Sequence, residues 1–323
     1  MSILVTGAGG MMGSHLSEML VAQGESVLAT FLSPTIDMGS VSAAVQFSEL
    51  DVCDRGAVFE TIDRIRPREI YHLAAQSLPT VSWQDPWTTF RVNAEGTINV
   101  FEAILAVRKR DKDYAPMTVI ACSSAEYGAS LTPDRIPVSE DAPLLPMHPY
   151  GVSKVAQDLL GWQYWTNHKL PCIRARIFNC TGPRKRNDVV SDFARAVTRS
   201  LHENLPIRHG NLATRRAIID VRDMVAALVA LARKGTPGEA YNICADRAVE
   251  ISELLEMFFI QAGRRLPTEV DPALLRPSDE PIIFGDTRRI CRDTGWKPSI
   301  PLEQTIADVL AFEQAQYSAQ AGA

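Results

Sequence analysis

Cysteine is scarce and scattered. Cys53, Cys122, Cys172, Cys180, Cys244 and Cys291 are the six in 323 residues, and no two form a CxxC pair. Such spacing offers no thiolate metal site and reads as reduced thiols packed as small residues in a cytosolic protein. No His/Cys/Asp cluster has metal-ligand spacing either, so no metal is expected. An apolar run approaching the roughly 18 residues of a membrane span is also missing. Ser2 opens directly into SILVT, without the basic and apolar regions of a secretory signal, so the expectation is a cytoplasmic protein with no membrane partner. There is no basic excess: 33 Lys and Arg against 38 Asp and Glu leave a net charge of -5. This excludes a nucleic-acid surface acting through bulk electrostatics and confines anion binding to local pockets.

What is present is an ordinary globular composition, 46% hydrophobic and 22% charged, with neither internal repeat nor low-complexity linker. From Met1 to about Ile177, short apolar runs alternate with amphipathic stretches: SILVT, then Met12 to Gln23, SVLAT, Arg55 to Ile65, EIYHLAA, Asn93 to Val107, MTVIACSS, Tyr150 to His168, and CIRARIF. A strand buried on both faces reads as an apolar run and its crossover as a helical period, so this is the pattern of an α/β, doubly wound parallel sheet. After Asn179 the pattern loosens into a smaller mixed lobe. Helices are predicted at Met224 to Arg233, Ile251 to Ala262 and Leu302 to about Phe312, before a frayed SAQAGA tail.

The stretch ILVTGAGGMMGSHL sets Gly7, Gly10 and Gly13 between the first strand and the first helix. Glycines in that order permit a tight turn, close approach of backbone to a pyrophosphate, and close packing of the helix whose N-terminus faces the anion. A Rossmann-type dinucleotide site follows, with Met11 and Met12 packing the helix beside it. After the second strand, where an acidic residue usually holds the ribose 2'-hydroxyl, the chain reads SVLATFLSP, with Thr30 and no carboxylate. The missing repulsion toward a 2'-phosphate favours NADP(H) over NAD(H). Asp51, at the end of the third strand, is placed either at the adenine amino group or as a cap of the Arg55 helix.

The strand MTVIACSS ends at Ser123 and Ser124, and PYGVSK sets Tyr150 and Lys154 four apart at a helix start, on one face. An ammonium near a phenol lowers its pKa, and such a tyrosine can exchange a proton with a sugar hydroxyl. His72 is expected to be buried and hydrogen-bonded, Trp83 and Trp87 to be packing residues, and Asp223 to be a helix-start or ion-pair residue.

Together with HLAAQS (residues 72–77) and FNCTGP (178–183), these motifs resemble the extended short-chain dehydrogenase/reductase family from Leu4 to about Thr305. The resemblance implies a catalytic triad of Ser123, Tyr150 and Lys154. It implies a cofactor wall of the glycine loop, Thr30, Asp51, Val52, Leu73, Ala74, Ala75, Gln76 and Asn93. It also implies a homodimer through a four-helix bundle of the helices near 94–107 and 150–168. Within the family, AAQSLPTVSWQDP, GNLATRR and LLRPSDEPIIFGD look like the GDP-mannose 4,6-dehydratase and GDP-4-keto-6-deoxy-mannose reductase branch. That likeness implies a GDP-hexose substrate held by Ser77, Ser124, Ala125, Glu126, Asn179, Arg184, Val190, Arg216, Arg276 and Asp279. The corresponding domains are residues 1–178 with parts of 212–245 for the cofactor, 179–211 and 246–316 for the substrate, and a flexible tail at 317–323.

One position departs from the dehydratase pattern. The glutamate base that a dehydratase carries two residues after its catalytic Ser/Thr falls on Ala125 here, and Glu126 stands one residue further on. A methyl group can neither take the C5 proton nor protonate a leaving hydroxyl. The leading expectation is therefore C4 reduction of a GDP-4-keto-6-deoxy-hexose. An epimerase using the same triad, a dehydratase that recruits Glu126 through a bulge, and a non-catalytic cofactor sensor remain open at this point.

Overall fold

The computed structural model describes residues 2–275 and 280–321. The first half runs β1 (Ile3–Thr6), α1 (Met11–Ala22), β2 (Val27–Phe31), β3 (Gln46–Glu49), α2 (Arg55–Ile65), β4 (Glu69–His72), α3 (Pro79–Gln84), α4 (Pro86–Phe90), α5 (Gly96–Arg108), β5 (Met117–Ser123), α6 (Pro149–His168) and β6 (Cys172–Ile177). The second half runs β7 (Cys180–Thr181), α7 (Val189–Glu203), β8 (Ile207–His209), β9 (Arg215–Arg216), β10 (Ile219–Asp220), α8 (Val221–Lys234), β11 (Ala240–Ile243), β12 (Val249–Glu250), α9 (Ile251–Ala262), β13 (Thr268–Val270), β14 (Ile282–Ile283), α10 (Arg288–Thr294) and α11 (Leu302–Ala321).

Seven strands form one parallel sheet in the order β3-β2-β1-β4-β5-β6-β11. Both faces are covered, and the alternation of side chains shows it. Ile3 and Val5 of β1 and Val119 and Ala121 of β5 enter the core beneath α1 and α8. Leu4, Ile120 and Cys122 point into the opposite core under α2, α5 and α6. The chain winds outward from β1 through β2 to β3, then returns to β4 on the other side of β1. That reversal opens a crevice beyond the carboxyl ends of β1 and β4, where open α/β sheets hold their ligands. His72, at the end of β4, is fully buried between Thr6 (2.9 Å) and Thr97 (3.2 Å), and burial pushes its imidazole down to about 3.

A separate core gathers Val190, Phe193, Val197, Leu254, Phe258, Ile306 and Leu310 from α7, α9 and α11. Short strand pairs, β8 with β13 and β9 with β12 and β14, rim this lobe. Asp223 ties the lobe to α8 by accepting bonds from Ser299 and Ile300.

Two expectations are corrected. α11 continues to Ala321, into the stretch expected to be a flexible tail, because Tyr317 stacks on His202 (4.7 Å) and bonds Glu203. The helix expected from Asn93 begins earlier: α3 and α4 start at Pro79 and Pro86, the latter capped by Asp85, and a π-helical turn at Arg91–Glu95 joins them to α5. Proline is tolerated at a first helical position, where its missing N–H is not needed.

Candidate active site

The crevice is shaped first by what glycine makes room for. Gly7 has φ +74°, and a Cβ there would lie 2.6 Å from Ala74 N. At Gly13 it would lie 2.4 Å from Gly7 O. The two glycines thus press the end of β1 against the end of β4 and α1 against the loop. Gly10 caps α1 without a side-chain bond and no acid stands in the first turn, so the positive end of the helix opens into the crevice unneutralised.

On the far wall, Asp51 accepts the Cys53 N–H at 2.8 Å and forms its own turn, while the Arg55 helix is capped by Asp54. Val52 and Leu73 are buried, Ala74, Ala75 and Gln76 are half-buried, and Ser77 is exposed. Two expected cofactor contacts are corrected. Thr30 is buried, its hydroxyl turned back toward Val5 O, because it points into the sheet interior rather than out of the strand end. Asn93 is fully buried and acts at one remove, since its amide clamps both backbone groups of Gln76 and the Ser153 hydroxyl.

Tyr150 and Lys154 ride on the first turns of α6, which enters the site at Pro149 behind a cap by His148. The His148 Nδ1 accepts the Gly151 N–H at 3.0 Å, and its ring stacks on Tyr150 at 5.8 Å. Gly151 is the close-approach point: a Cβ there would meet Ala125 O at 2.7 Å. The absent side chain lets α6 come down on the end of β5, which brings Tyr150 to Ser123. Burial pushes the Tyr150 phenol up to about 12, with a hydrogen bond to Ser123 opposing. Lys154 is buried with its ammonium bonded to Ala121 O and Gln157 at 2.7 Å each, and burial pushes it down to about 8. The ammonium lies 5.8 Å from the centre of the Tyr150 ring. Desolvation therefore dominates the phenol, and the lowering it does receive comes from Ser123 and not from the ammonium. An ammonium has three donors and two are engaged, so one N–H remains for a ligand.

Beyond the triad the expected substrate residues divide. Ser124 is buried, and Ala125 is half-exposed beside Gly151. Asn179 has a buried Nδ2 with no hydrogen-bond partner, a donor awaiting an oxygen. Arg216 lies on β9 and donates to Arg215 O and Glu280 O. Arg276 and Asp279 lie outside the described residues.

Three of the expected residues are engaged elsewhere. Val190 is fully buried in the second core. Arg184, at φ +72°, spends its guanidinium on Glu18 (2.7 and 3.0 Å), Ser14 and Ser40, clamping α1 to neighbouring loops. Glu126 has no exposed surface, because β5 ends at Ser123 and one 3-10 turn, Ser124–Glu126, carries the carboxyl inward. No bulge returns it to the crevice. The partners that sequence reasoning missed are His148, whose signal was its place just before the proline of α6, and the buried Asp158–Arg176 pair at 2.9 Å, which no local motif announces.

The residues present fit a dinucleotide: a backbone cradle that no Cβ could occupy, an unneutralised helix N-terminus, and a lysine with a spare donor. Fold and site together define an NAD(P)-dependent enzyme of the extended short-chain dehydrogenase/reductase class. Comparison with known proteins narrows this, for the family described as GDP-mannose 4,6 dehydratase matches residues 4–309 and the chain belongs to it. It is 27% identical to the GDP-6-deoxy-D-mannose reductase of Pseudomonas aeruginosa over 313 residues, 96% of each chain. It is 26% identical to GDP-mannose 4,6 dehydratase 2 of Caenorhabditis elegans over 96% of this chain and 88% of that one. Among solved structures, the Thermus thermophilus UDP-glucose 4-epimerase in complex with NAD aligns at TM-score 0.84 and 27% identity, covering 97% of this chain and 99% of the other. The Pseudomonas aeruginosa RMD complexed with NADPH aligns at TM-score 0.81 and 24% identity, covering 98% and 100%, a likeness of fold. The expectation of a non-catalytic sensor is set aside. Among the described residues no helix is long and apolar enough to cross a membrane.

Proposed function

We propose that this enzyme reduces the C4 carbonyl of a GDP-4-keto-6-deoxy-hexose, with NADPH preferred over NADH. The observation that carries the reading is the turn after β5. The dehydratase base position is Ala125, and the adjacent carboxyl, Glu126, is sealed inside the protein. Reduction of a ketone needs no carboxylate base, and the triad suffices for it. The similarity to the Pseudomonas aeruginosa reductase over nearly the full length of both chains supports the same choice.

In this reading the bound dinucleotide supplies the hydride, with its pyrophosphate on the glycine loop and its nicotinamide ribose at Lys154. Tyr150 gives its proton to the C4 oxygen as the carbonyl becomes an alcohol. Ser123 hydrogen-bonds that oxygen while charge develops on it. Asn179 contributes its unpaired amide to the nucleotide-sugar. The test is to incubate enzyme, NADPH and GDP-4-keto-6-deoxy-mannose. One NADPH consumed per product, with a gain of two mass units, supports the reading. Turnover without consumption assigns an epimerase instead.

The acidity of Lys154 gives a pH dependence. Tyr150 keeps its proton to about 12, so the donor is present throughout the working range. Lys154 is lowered to about 8, so its charge is complete well below that pH and lost as pH rises through it. The expected kcat/KM profile is flat near pH 7 and falls about tenfold per unit above pH 8, following one proton. Lys154→Arg, whose guanidinium stays charged, should lower the plateau and abolish this limb. A wild-type profile flat to pH 9.5 would contradict the assignment.

The same proposal includes a homodimer through α5 and α6. Val152, Leu159 and Trp162 stand about half exposed at i, i+7 and i+10 on α6, with Ile98 exposed on α5. Residues at such spacing share a helix face, and an apolar stripe of this kind marks an interface. Trp162→Glu is expected to convert a dimer to a monomer in light-scattering measurements; a wild-type monomer would refute the pairing.

A further inference from the structure

Glu126 is closed off from the crevice, yet it touches the end of β5 at Ser123 directly. Its Oε1 accepts the backbone N–H of Ser123 at 2.7 Å, and the Ser123 hydroxyl oxygen accepts the N–H of Ala125 at 3.2 Å. The two bonds close a capping box around the turn. With one lone pair taken by Ala125, the hydroxyl keeps its own proton to donate, and Ser123 hydrogen-bonds Tyr150.

The other oxygen, Oε2, has no hydrogen-bond partner. The nearest cation, the Arg176 Nε, is 3.4 Å away and gives its proton to Asp158 at 2.9 Å. Facing Glu126 are Cys122 on β5, Asp158 and Lys154 on α6, and Arg176 on β6. Filling this space would call for an apolar side chain, because burying a half-satisfied carboxyl beside a second carboxylate is unfavourable. What an apolar side chain lacks is the acceptor for the Ser123 amide.

We propose, building on the reductase reading, that Glu126 is a positioning residue: by holding the Ser123 amide it fixes the direction in which the Ser123 hydroxyl donates its one proton, to Tyr150 in the resting site and to the developing alkoxide during reduction. Burial first, then the Asp158 charge, pushes its carboxyl well above the ordinary range, and what the Ser123 amide needs from it is an acceptor oxygen, which an amide side chain also offers. Any reaction run by the same triad depends on it equally.

The test compares Glu126→Gln, which keeps the acceptor, with Glu126→Leu, which keeps the bulk and loses it, at a temperature below the melting point of both. The leucine variant should lose about tenfold in kcat with KM nearly unchanged, and the glutamine variant should restore kcat to within about threefold with an unshifted pH profile. Wild-type kcat in the leucine variant, or equal damage in both, would overturn the proposal. The comparison runs on whichever nucleotide-sugar the wild type turns over, so loss of the reductase reading leaves it intact. A second readout needs no substrate. Ultraviolet titration of the Tyr150 phenol in the NADP+ complex, with Tyr150→Phe as the blank, should move to higher pH in the leucine variant alone. No shift in that variant, or the same shift in both, would overturn the proposal.

Discussion

Tyr150→Phe is expected to lower kcat by about 10²–10⁴-fold, the range of general acid catalysis, while leaving the NADPH dissociation constant nearly unchanged. The separation follows from the geometry. In the proposed reading Tyr150 serves Ser123 and the reacting oxygen, whereas the dinucleotide would rest on the glycine loop and Lys154. The ring is half-buried and stacked on His148, so phenylalanine keeps the packing and removes only the hydroxyl. Steady-state rates with fluorescence titration of NADPH check both halves of the expectation. A variant with more than a tenth of wild-type kcat would mean that another group delivers the proton.

Gly13→Ala, in contrast, should weaken cofactor binding itself. The added methyl would lie 2.4 Å from Gly7 O and 2.7 Å from Ala8 Cα, and backbone atoms cannot swing aside as a side chain does. Overpacking of this kind costs about 1–3 kcal/mol, and here the displaced atoms are the cradle itself. A loss of about 100-fold in NADPH affinity is the expected result, equivalent to about 2.7 kcal/mol. Gly24→Ala is the control. Gly24 has positive φ but open space around it, so the change should lower the melting temperature modestly and leave NADPH affinity alone. Equal affinity in the Gly13 variant would show that the loop does not hold the dinucleotide.

The parts legible in the sequence are those whose chemistry is local. TGAGGMMG can be read because a tight turn, a close approach and a helix start each name glycine. PYGVSK can be read because four residues is one helical turn. Five strands of the parallel sheet, β1, β2, β4, β5 and β6, follow from apolar runs, whereas β3 (QFSE) carries no such run and β11 lies where the pattern loosens. Residues whose surroundings are set by tertiary contacts were not legible. Arg184 looked like a diphosphate ligand because it is basic and follows FNCTGP, yet Glu18, 166 residues earlier, claims it. Glu126 could be judged only by knowing that the strand stops at Ser123. Val190 carries no sign of which face of α7 it occupies until α9 and α11 cover it. Thr30 took its role from its place near the end of β2, where the inward and outward faces differ by one residue.

The most direct test of the central claim is deuteride transfer. Incubation with (4-²H)NADPH and GDP-4-keto-6-deoxy-mannose, followed by mass spectrometry and NMR of the product, locates the transferred nucleus. One deuterium at C4, with stoichiometric oxidation of the nucleotide, is the result expected of a reductase built on Ser123, Tyr150 and Lys154. A product without deuterium at C4, formed with no net nucleotide consumed, would contradict it.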